Sequence, residues 1–211
     1  WSYPLRDEGS GCFLGLLRGA LGEGTAGRFF KVADAGTPWE RTGPRWTAWM
    51  VRPPCSCAYG YGGMKIRPTA FPDWMQEVMA SCMPLCGLHD PSAWPNCCNL
   101  NRYDNGWGSV GWHADDEGLF QGRHRNCLII SLSLGQARSF EWRTWDHGGW
   151  QDKVLLSSGD LCTMEGMMQR HYQHCAPKEY DGADNLGPRI NLTWRWVVEH
   201  GHGCKAAGGS P

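Results

Sequence analysis

The segment GWHADDEG, residues 111–118, sets one histidine beside three acids. His113 and Asp115 are two apart, so on an extended strand both point to one side and a single cation can reach both. A third ligand must come from elsewhere, and RHYQHCAPK (170–178) supplies His171 and His174. A lone strand histidine is more often a hydrogen-bonded structural residue than a ligand. Two histidines and one carboxylate on one face, however, leave three coordination positions open, as in non-haem Fe(II) oxygenases. Zinc would more typically take three protein ligands and a water in a tetrahedron.

A second polar set lies in RINLTWRWVV (189–198). Alternation puts Arg189, Asn191, Thr193 and Arg195 on one face and Ile190, Leu192, Trp194 and Trp196 on the other. The polar face either meets solvent or lines a pocket for an anion. Two guanidinium forks with an amide and a hydroxyl between them suit a dicarboxylate such as a 2-oxo acid. NLNRYDNG (99–106) repeats the pattern: Asn101 and Tyr103 share a face, and each can donate to a carboxylate or keto oxygen.

These residues need strands to aim them. From about residue 97 onward, short candidate strands at 98–103, 109–114, 126–134, 138–143, 152–157, 160–165 and 189–198 are mostly separated by Gly, Asp or Asn. Their spacing suggests a sandwich or jelly roll. Upstream, Phe71, Trp74, Met75, Val78, Met79 and Cys82 predict a helix over 72–83, with Pro72 in its first turn. Phe13, Leu14, Leu17 and Leu21 after Ser10 predict another over 12–22. Between them, 39–70 is broken by Pro and Gly and reads as hairpins and loops. The fold class is mainly β with flanking helices (α+β).

The 211 residues suit one domain. A net charge of -1 argues against binding nucleic acid by bulk charge. Residues 41–70 are polarised, with Arg41, Arg45, Arg52, Lys65 and Arg67 and no acid: a solvated basic loop or a local groove. The thirteen Trp fill a core, form a flat binding surface, or both. Among eleven Cys, Cys55-x-Cys57, Cys82-x₃-Cys86 and Cys97-Cys98 are possible metal pairs, but none has C-x₂-C spacing. The cysteines are read as mostly reduced and buried, in an intracellular protein of the nucleus or cytoplasm. No apolar run approaches membrane-spanning length, so no membrane partner is expected. Trp1 at the start suggests a fragment, which leaves an organelle open, and a monomer is expected.

The stretches NRYDNGWGSVGWHADDE, LIISLSLGQARSFEWR, GDLCTMEGMMQRHYQHCAPKEY and PRINLTWR together resemble the AlkB family of Fe(II)/2-oxoglutarate dioxygenases, nearest its eukaryotic nucleic-acid demethylase branch. The resemblance covers 96–198 and extends more weakly through PRWTAW (44–49) and YGGMKIRP (61–68). It implies a double-stranded β-helix (jelly-roll) core over 96–199. Residues 1–95 would form the N-terminal helices and a nucleotide-recognition lid of the same domain, and 200–211 a flexible tail. His113, Asp115 and His174 would ligate Fe(II); His171 lacks the following x-x-Pro and ranks below His174. Asn101, Tyr103, Arg189, Asn191 and Arg195 would bind 2-oxoglutarate, with Arg189 at the distal carboxylate and Arg195 nearer the iron. With O2 as the other co-substrate, the implied reaction is oxidative demethylation of bases such as 1-methyladenine or 3-methylcytosine in single-stranded RNA or DNA. It releases formaldehyde, succinate and CO₂.

A methyl inside a stacked duplex cannot reach the metal, so the base must be flipped or already unpaired. The lid 39–70 offers aromatics for stacking and cations for phosphates. Tyr61 is the favoured stacking residue, with Tyr59 and Trp49 beside it. Met50 stands where close relatives tend to carry an aromatic. Arg123, Arg125, Arg138 and Arg143 are further phosphate contacts, although Arg138 is equally suited to a structural ion pair. In the family an acid at the position of Glu117 accepts from the exocyclic amine of the base. Asp116 is either a solvated or turn-capping acid or a substrate or outer-shell contact. Two other readings remain: the same iron chemistry on a protein, lipid or small molecule, and a non-enzymatic reader, which would not need the H-x-D…H set and both arginines.

Overall fold

The computed structural model describes residues 1–61, 63–146, 149 and 151–206, with the side chains of Tyr61 and Met64 outside the description. The chain opens with β1 (Ser2–Asp7), β2 (Cys12–Leu17), α1 (Glu23–Gly36), β3 (Glu40–Thr42), β4 (Arg45–Val51), β5 (Tyr59–Tyr61), β6 (Met64–Ile66), β7 (Pro68–Ala70) and α2 (Asp73–Cys82). There follow β8 (Cys97–Tyr103), β9 (Val110–His113), β10 (Cys127–Gly135), β11 (Arg138–Thr144), β12 (Gln151–Leu156), β13 (Leu161–Gly166), α3 (Met168–His171), β14 (Tyr172–Ala176) and β15 (Arg189–Arg195).

Two sheets make a jelly roll. The larger runs β1-β2-β13-β10-β15-β8-β4-β3, with β7 joined to β4; the smaller runs β12-β11-β14-β9. One face of the larger sheet is apolar. Ile130, Leu132 and Leu134 of β10, Ile190, Leu192 and Trp194 of β15, Leu100 of β8 and Met50 of β4 pack with Phe29 and Ala33 of α1 and Met75, Val78 and Met79 of α2. Each fully buried side chain of this kind contributes about 1.5–3 kcal/mol, so this face holds the helices on. The space between the sheets is divided. Toward β1 and β2 it is filled by Leu14, Leu16, Ile129, Trp142, Leu156 and Met168. Under β8 and β15 it opens into a polar cavity.

The helix expected over 12–22 is a strand. Leu14 and Leu16 point alternately with their neighbours into the space between the sheets and are almost fully buried. The strand is paired on both sides, with β1 and β13, and Gly15 suits the close approach: a Cβ there would come within 2.4 Å of Thr163 Oγ1. The first helix is instead α1, where Ala26, Phe29 and Ala33 are buried at helical spacing. Gly24 and Gly27 lower its intrinsic propensity and obscure it in the sequence. The helix over 72–83 matches α2, and the seven expected strands correspond to β8 through β13 and β15. β14 was not foreseen: all five of its residues are buried, so no alternation marks it. The segment 39–70 is hairpins and loops except for β4, which is an interior strand between β3 and β8.

Candidate active site

The polar face of the larger sheet is assembled by register. β15 pairs antiparallel with β8 so that Asn191 faces Asn101 and Arg189 faces Tyr103, and with β10 so that Ser133 faces Asn191. β4 continues the row, with Thr47 opposite Asn101. Asn191 Nδ2 donates to Ser131 Oγ at 2.6 Å and Thr193 Oγ1 donates to Asn191 Oδ1 at 2.8 Å. Arg45 Nε donates to Asn101 Oδ1 at 2.8 Å. Arg189 donates to Ser133 Oγ at 2.9 Å and lies 5.4 Å from the Tyr103 ring centre. These side chains line a cavity of about 270 Å³ that also reaches His113, Asp115 and His174.

The smaller sheet carries the histidines. β14 pairs with β9 so that His174 faces His113. Their ring centres are 4.2 Å apart. Asp115 lies just past the end of β9. Its Oδ1 is 3.7 Å from His113 Nε2 and its Oδ2 is 3.9 Å from His174 Nε2. The loop is fixed by Gln169, whose Oε1 accepts from the Asp115 backbone N–H at 2.8 Å. His113 Nδ1 lies 2.8 Å from the Gly111 carbonyl, which leaves Nε2 facing the carboxylate. Across the cavity Arg195 Nη2 is 3.0 Å from Asp115 Oδ2.

The electrostatics suit a cation and an anion side by side. Burial alone would raise the Asp115 carboxyl, but Arg195 and the two histidines outweigh it and hold it below the usual carboxylate range. Burial and the neighbouring His113 push His174 down to about 3, so its imidazole is neutral and able to ligate. Both Asp115 oxygens are buried and accept no hydrogen bond. So is the Nε of Arg189 and of Arg195, each without an acceptor. Buried polar atoms left unpaired are costly. Here the acceptors converge with two histidine nitrogens and the donors border the cavity, which fits a metal ion and an anionic ligand bound together.

A model of the 2OG-Fe(II) oxygenase superfamily matches residues 38–195. The chain belongs to this superfamily. Its metal is iron(II), and its co-substrates are 2-oxoglutarate and dioxygen. Among relatives, the oxygenase is 35% identical over 185 residues to the alpha-ketoglutarate-dependent dioxygenase alkB homolog 3 of Bos taurus, covering 79% of this chain and 60% of that one. The human protein of that name is 34% identical over the same length. The DNA oxidative demethylase ALKBH2 of Arabidopsis thaliana is 28% identical over 204 residues, covering 81% of this chain and 62% of that one. The chain thus spans about 60% of the length of these alkB homolog 3 relatives. Its fold is that of the structure of OsALKBH1, with a TM-score of 0.62 at 19% identity over 86% of this chain and 97% of that one.

At the rim of the oxygenase's cavity, Tyr59 donates to Glu117 Oε1 at 2.7 Å, and Arg195 Nη1 lies 3.5 Å from the Tyr59 hydroxyl. Burial and the nearby Asp115 raise the Glu117 carboxyl, whose Oε2 is buried with no partner. Three expected substrate contacts are corrected. Trp49 is 1% exposed, stacked behind Tyr59 at 4.9 Å and bound through its indole N–H to the Cys57 carbonyl, so it supports the rim from beneath. Arg138 is also 1% exposed. It donates to the carbonyls of Asn105, Gly108 and Pro177 at 2.9, 2.7 and 2.8 Å, which makes it a structural clamp. Asp116 forms an ion pair with Arg123 on the solvent side, away from the cavity. The side chain of Tyr61 lies outside the described residues. His171 ends α3 and is not in the His–Asp–His cluster.

Several cavity residues were missed. Asn99 shares the alternation of Asn101 and Tyr103, and Ser131 lines the cavity while Ser133, two further on in LIISLSLG, holds Arg189 from behind, so a period-two reading of β8 and β10 would have found them. Arg45 counted only as part of a basic segment. Gln169 had no local signal, because only the tertiary fold brings it to Asp115.

Proposed function

We propose that the chain is an iron(II)/2-oxoglutarate-dependent demethylase of N-methylated bases in single-stranded nucleic acid. The observation that carries this reading is the shared cavity: the buried Asp115 carboxylate, ion-paired to Arg195, stands with two histidines, and Arg189 lines the same cavity. The names of the relatives, dioxygenase alkB homolog 3 and DNA oxidative demethylase ALKBH2, supply the substrate class.

His113, Asp115 and His174 would hold the iron. When bound, iron would let dioxygen oxidise 2-oxoglutarate to succinate and CO₂ and, with its second oxygen atom, hydroxylate the N-methyl group, which then leaves as formaldehyde. The chain's own residues bind and orient. Arg189, gripped by Ser133 and backed by Tyr103, takes the distal carboxylate; a two-pronged guanidinium fixes both position and angle. Asn101, Asn191 and Tyr103 line the path between the two ends. Arg195, held next to Asp115, takes the end nearer the metal. Glu117 would accept the exocyclic amine of the base through its unpaired Oε2, while Tyr59 holds Oε1. A carboxylate also favours the cationic 1-methyladenine and 3-methylcytosine. The polarised 41–70 segment would receive the strand. The protein is read as acting inside the cell, in the nucleus or cytoplasm, as a monomer.

The test is incubation with Fe(II), ascorbate and 2-oxoglutarate and a single-stranded oligonucleotide bearing 1-methyladenine or 3-methylcytosine. Loss of the methyl with stoichiometric formaldehyde and succinate is expected. Succinate without methyl loss over a panel of DNA and RNA oligonucleotides would move the substrate to a protein, lipid or small molecule. No 2-oxoglutarate binding would overturn the reading altogether.

A further inference from the structure

A second cluster of metal-ligating side chains lies away from the His–Asp–His set. Cys55 and Cys57 sit in the loop between β4 and β5, and His200 and Cys204 sit after β15. Their four donor atoms all lie within 4.8 Å of one another. His200 Nδ1 is 3.7 Å from Cys55 Sγ, 3.6 Å from Cys57 Sγ and 3.4 Å from Cys204 Sγ. Cys204 Sγ is 3.9 Å from Cys55 Sγ.

These spacings carry information. A tetrahedral zinc ion with bonds of about 2.3 Å to sulfur and about 2.0–2.1 Å to nitrogen has sulfur–sulfur edges of about 3.8 Å and sulfur–nitrogen edges of about 3.5 Å. The four separations fall close to those edges. A disulfide would need about 2.05 Å between sulfurs. Thiols packed only as small apolar groups have no reason to converge on one imidazole nitrogen. The three cysteines are also nearly buried. Two backbone amides point at the sulfurs: Ser56 N–H to Cys204 Sγ at 3.2 Å and Gly201 N–H to Cys57 Sγ at 3.4 Å. Such donors stabilise thiolate ligands. The spacing H-x₃-C resembles one half of a zinc-finger pattern, whereas C-x-C is tighter than the usual half.

We propose that Cys55, Cys57, His200 and Cys204 bind one zinc ion in a closed Cys₃His site that clips the loop before β5 to the chain beyond β15. Four protein donors leave no open position, so the site is structural. It is soft and sulfur-rich, whereas the His–Asp–His set is open and suits iron. The clip sits in the same small core as Trp49, Tyr59 and Phe120. Tyr59 is only two residues from Cys57, so zinc would fix the loop that presents the Tyr59 hydroxyl to Glu117.

The test is elemental analysis of the purified chain after reconstitution with zinc, with iron measured in parallel. One zinc per chain is expected, retained in Asp115→Asn and lost in the double variant Cys55→Ser/Cys204→Ser. Cobalt(II) loaded in place of zinc should give a thiolate-to-cobalt charge-transfer band in the near ultraviolet and strong tetrahedral bands in the visible. If the double variant does not fold, Cys204→His decides: it keeps four donors and should hold zinc with a changed cobalt spectrum. Zinc below half an equivalent in the parent chain, zinc retained in the double variant, or an octahedral cobalt spectrum without the charge-transfer band would each overturn the proposal.

Discussion

The two side-chain clusters that converge on metal geometry are built in opposite ways. His113 and His174 are neighbours across paired strands, and Asp115 follows directly. The Cys55, Cys57, His200 and Cys204 cluster joins two irregular segments about 145 residues apart, with no strand pairing between them. The first has three donors and opens on a cavity; the second has four and is closed. The difference teaches what each arrangement requires. A site that must leave room for a co-substrate is held from outside by sheet register and by residues such as Gln169 and Arg195. A closed site carries its own restraint, because four donors around one ion define the geometry and a loop suffices as its carrier. The open site would survive loss of its metal as a fold; the closed one would not hold its loop in place.

The comparison can be broken most decisively at Asp115. Asp115→Asn keeps the shape and removes the charge. 2-Oxoglutarate turnover should fall by more than the ~10–100-fold typical of outer-shell changes, with zinc content little altered. Turnover within tenfold of the parent would remove Asp115 from the iron site. Next comes Cys204→Ser. By the chain-entropy relation for a cross-link, closing a loop of this length contributes about 5 kcal/mol, and each kcal/mol moves the melting temperature of a chain this size by about 2–4 °C. A fall of up to roughly 10–20 °C by calorimetry is therefore expected, with iron binding retained; an unchanged melt would make the cysteine cluster ordinary packing.

Arg189→Lys tests the far end of the open site. Losing one charge-assisted hydrogen bond costs about 1.5–3 kcal/mol, so KM for 2-oxoglutarate should rise roughly 10–100-fold while zinc stays bound. Equal loss at saturating 2-oxoglutarate would argue for a folding defect instead. Glu117→Gln should lower demethylation about tenfold, at the low end of the same range, and leave the slower turnover of 2-oxoglutarate without substrate largely intact. Parallel loss of both would deny Glu117 a role in reading the base. Asp116→Ala should change stability by less than about 1 kcal/mol, as surface ion pairs do, and leave activity unaltered. A large loss of activity would return Asp116 to the site.

How far the sequence revealed each region follows from the same contrast. Alternation in RINLTWR and NLNRY exposed the cavity wall, and H-x-D the edge of the cluster, because strand geometry converts spacing directly into facing. Asp116, left open in the sequence between a solvated acid and a substrate contact, pairs with Arg123 instead. The reading failed where facing depends on tertiary packing. Trp49 and Arg138 have the types of nucleic-acid contacts but are buried, one under Tyr59 and the other among loop carbonyls. CFLGLL has apolar residues at helical intervals, yet pairing with β1 and β13, distant in sequence in the second case, makes it a strand. Cys55-x-Cys57 was noticed without its partners, because nothing in the sequence joins it to His200 and Cys204 across the whole core.

β15 ties the site to folding itself. Its odd residues, Arg189, Asn191, Thr193 and Arg195, line the cavity, and its even residues, Ile190, Leu192 and Trp194, anchor α1 and α2. A slip of one residue against β8 or β10 would send the guanidiniums into the apolar layer and the tryptophan into the cavity at once. The protein therefore has no well-packed but misregistered form at this strand. A chain that completes its core has, by the same act, aligned the residues that face the metal.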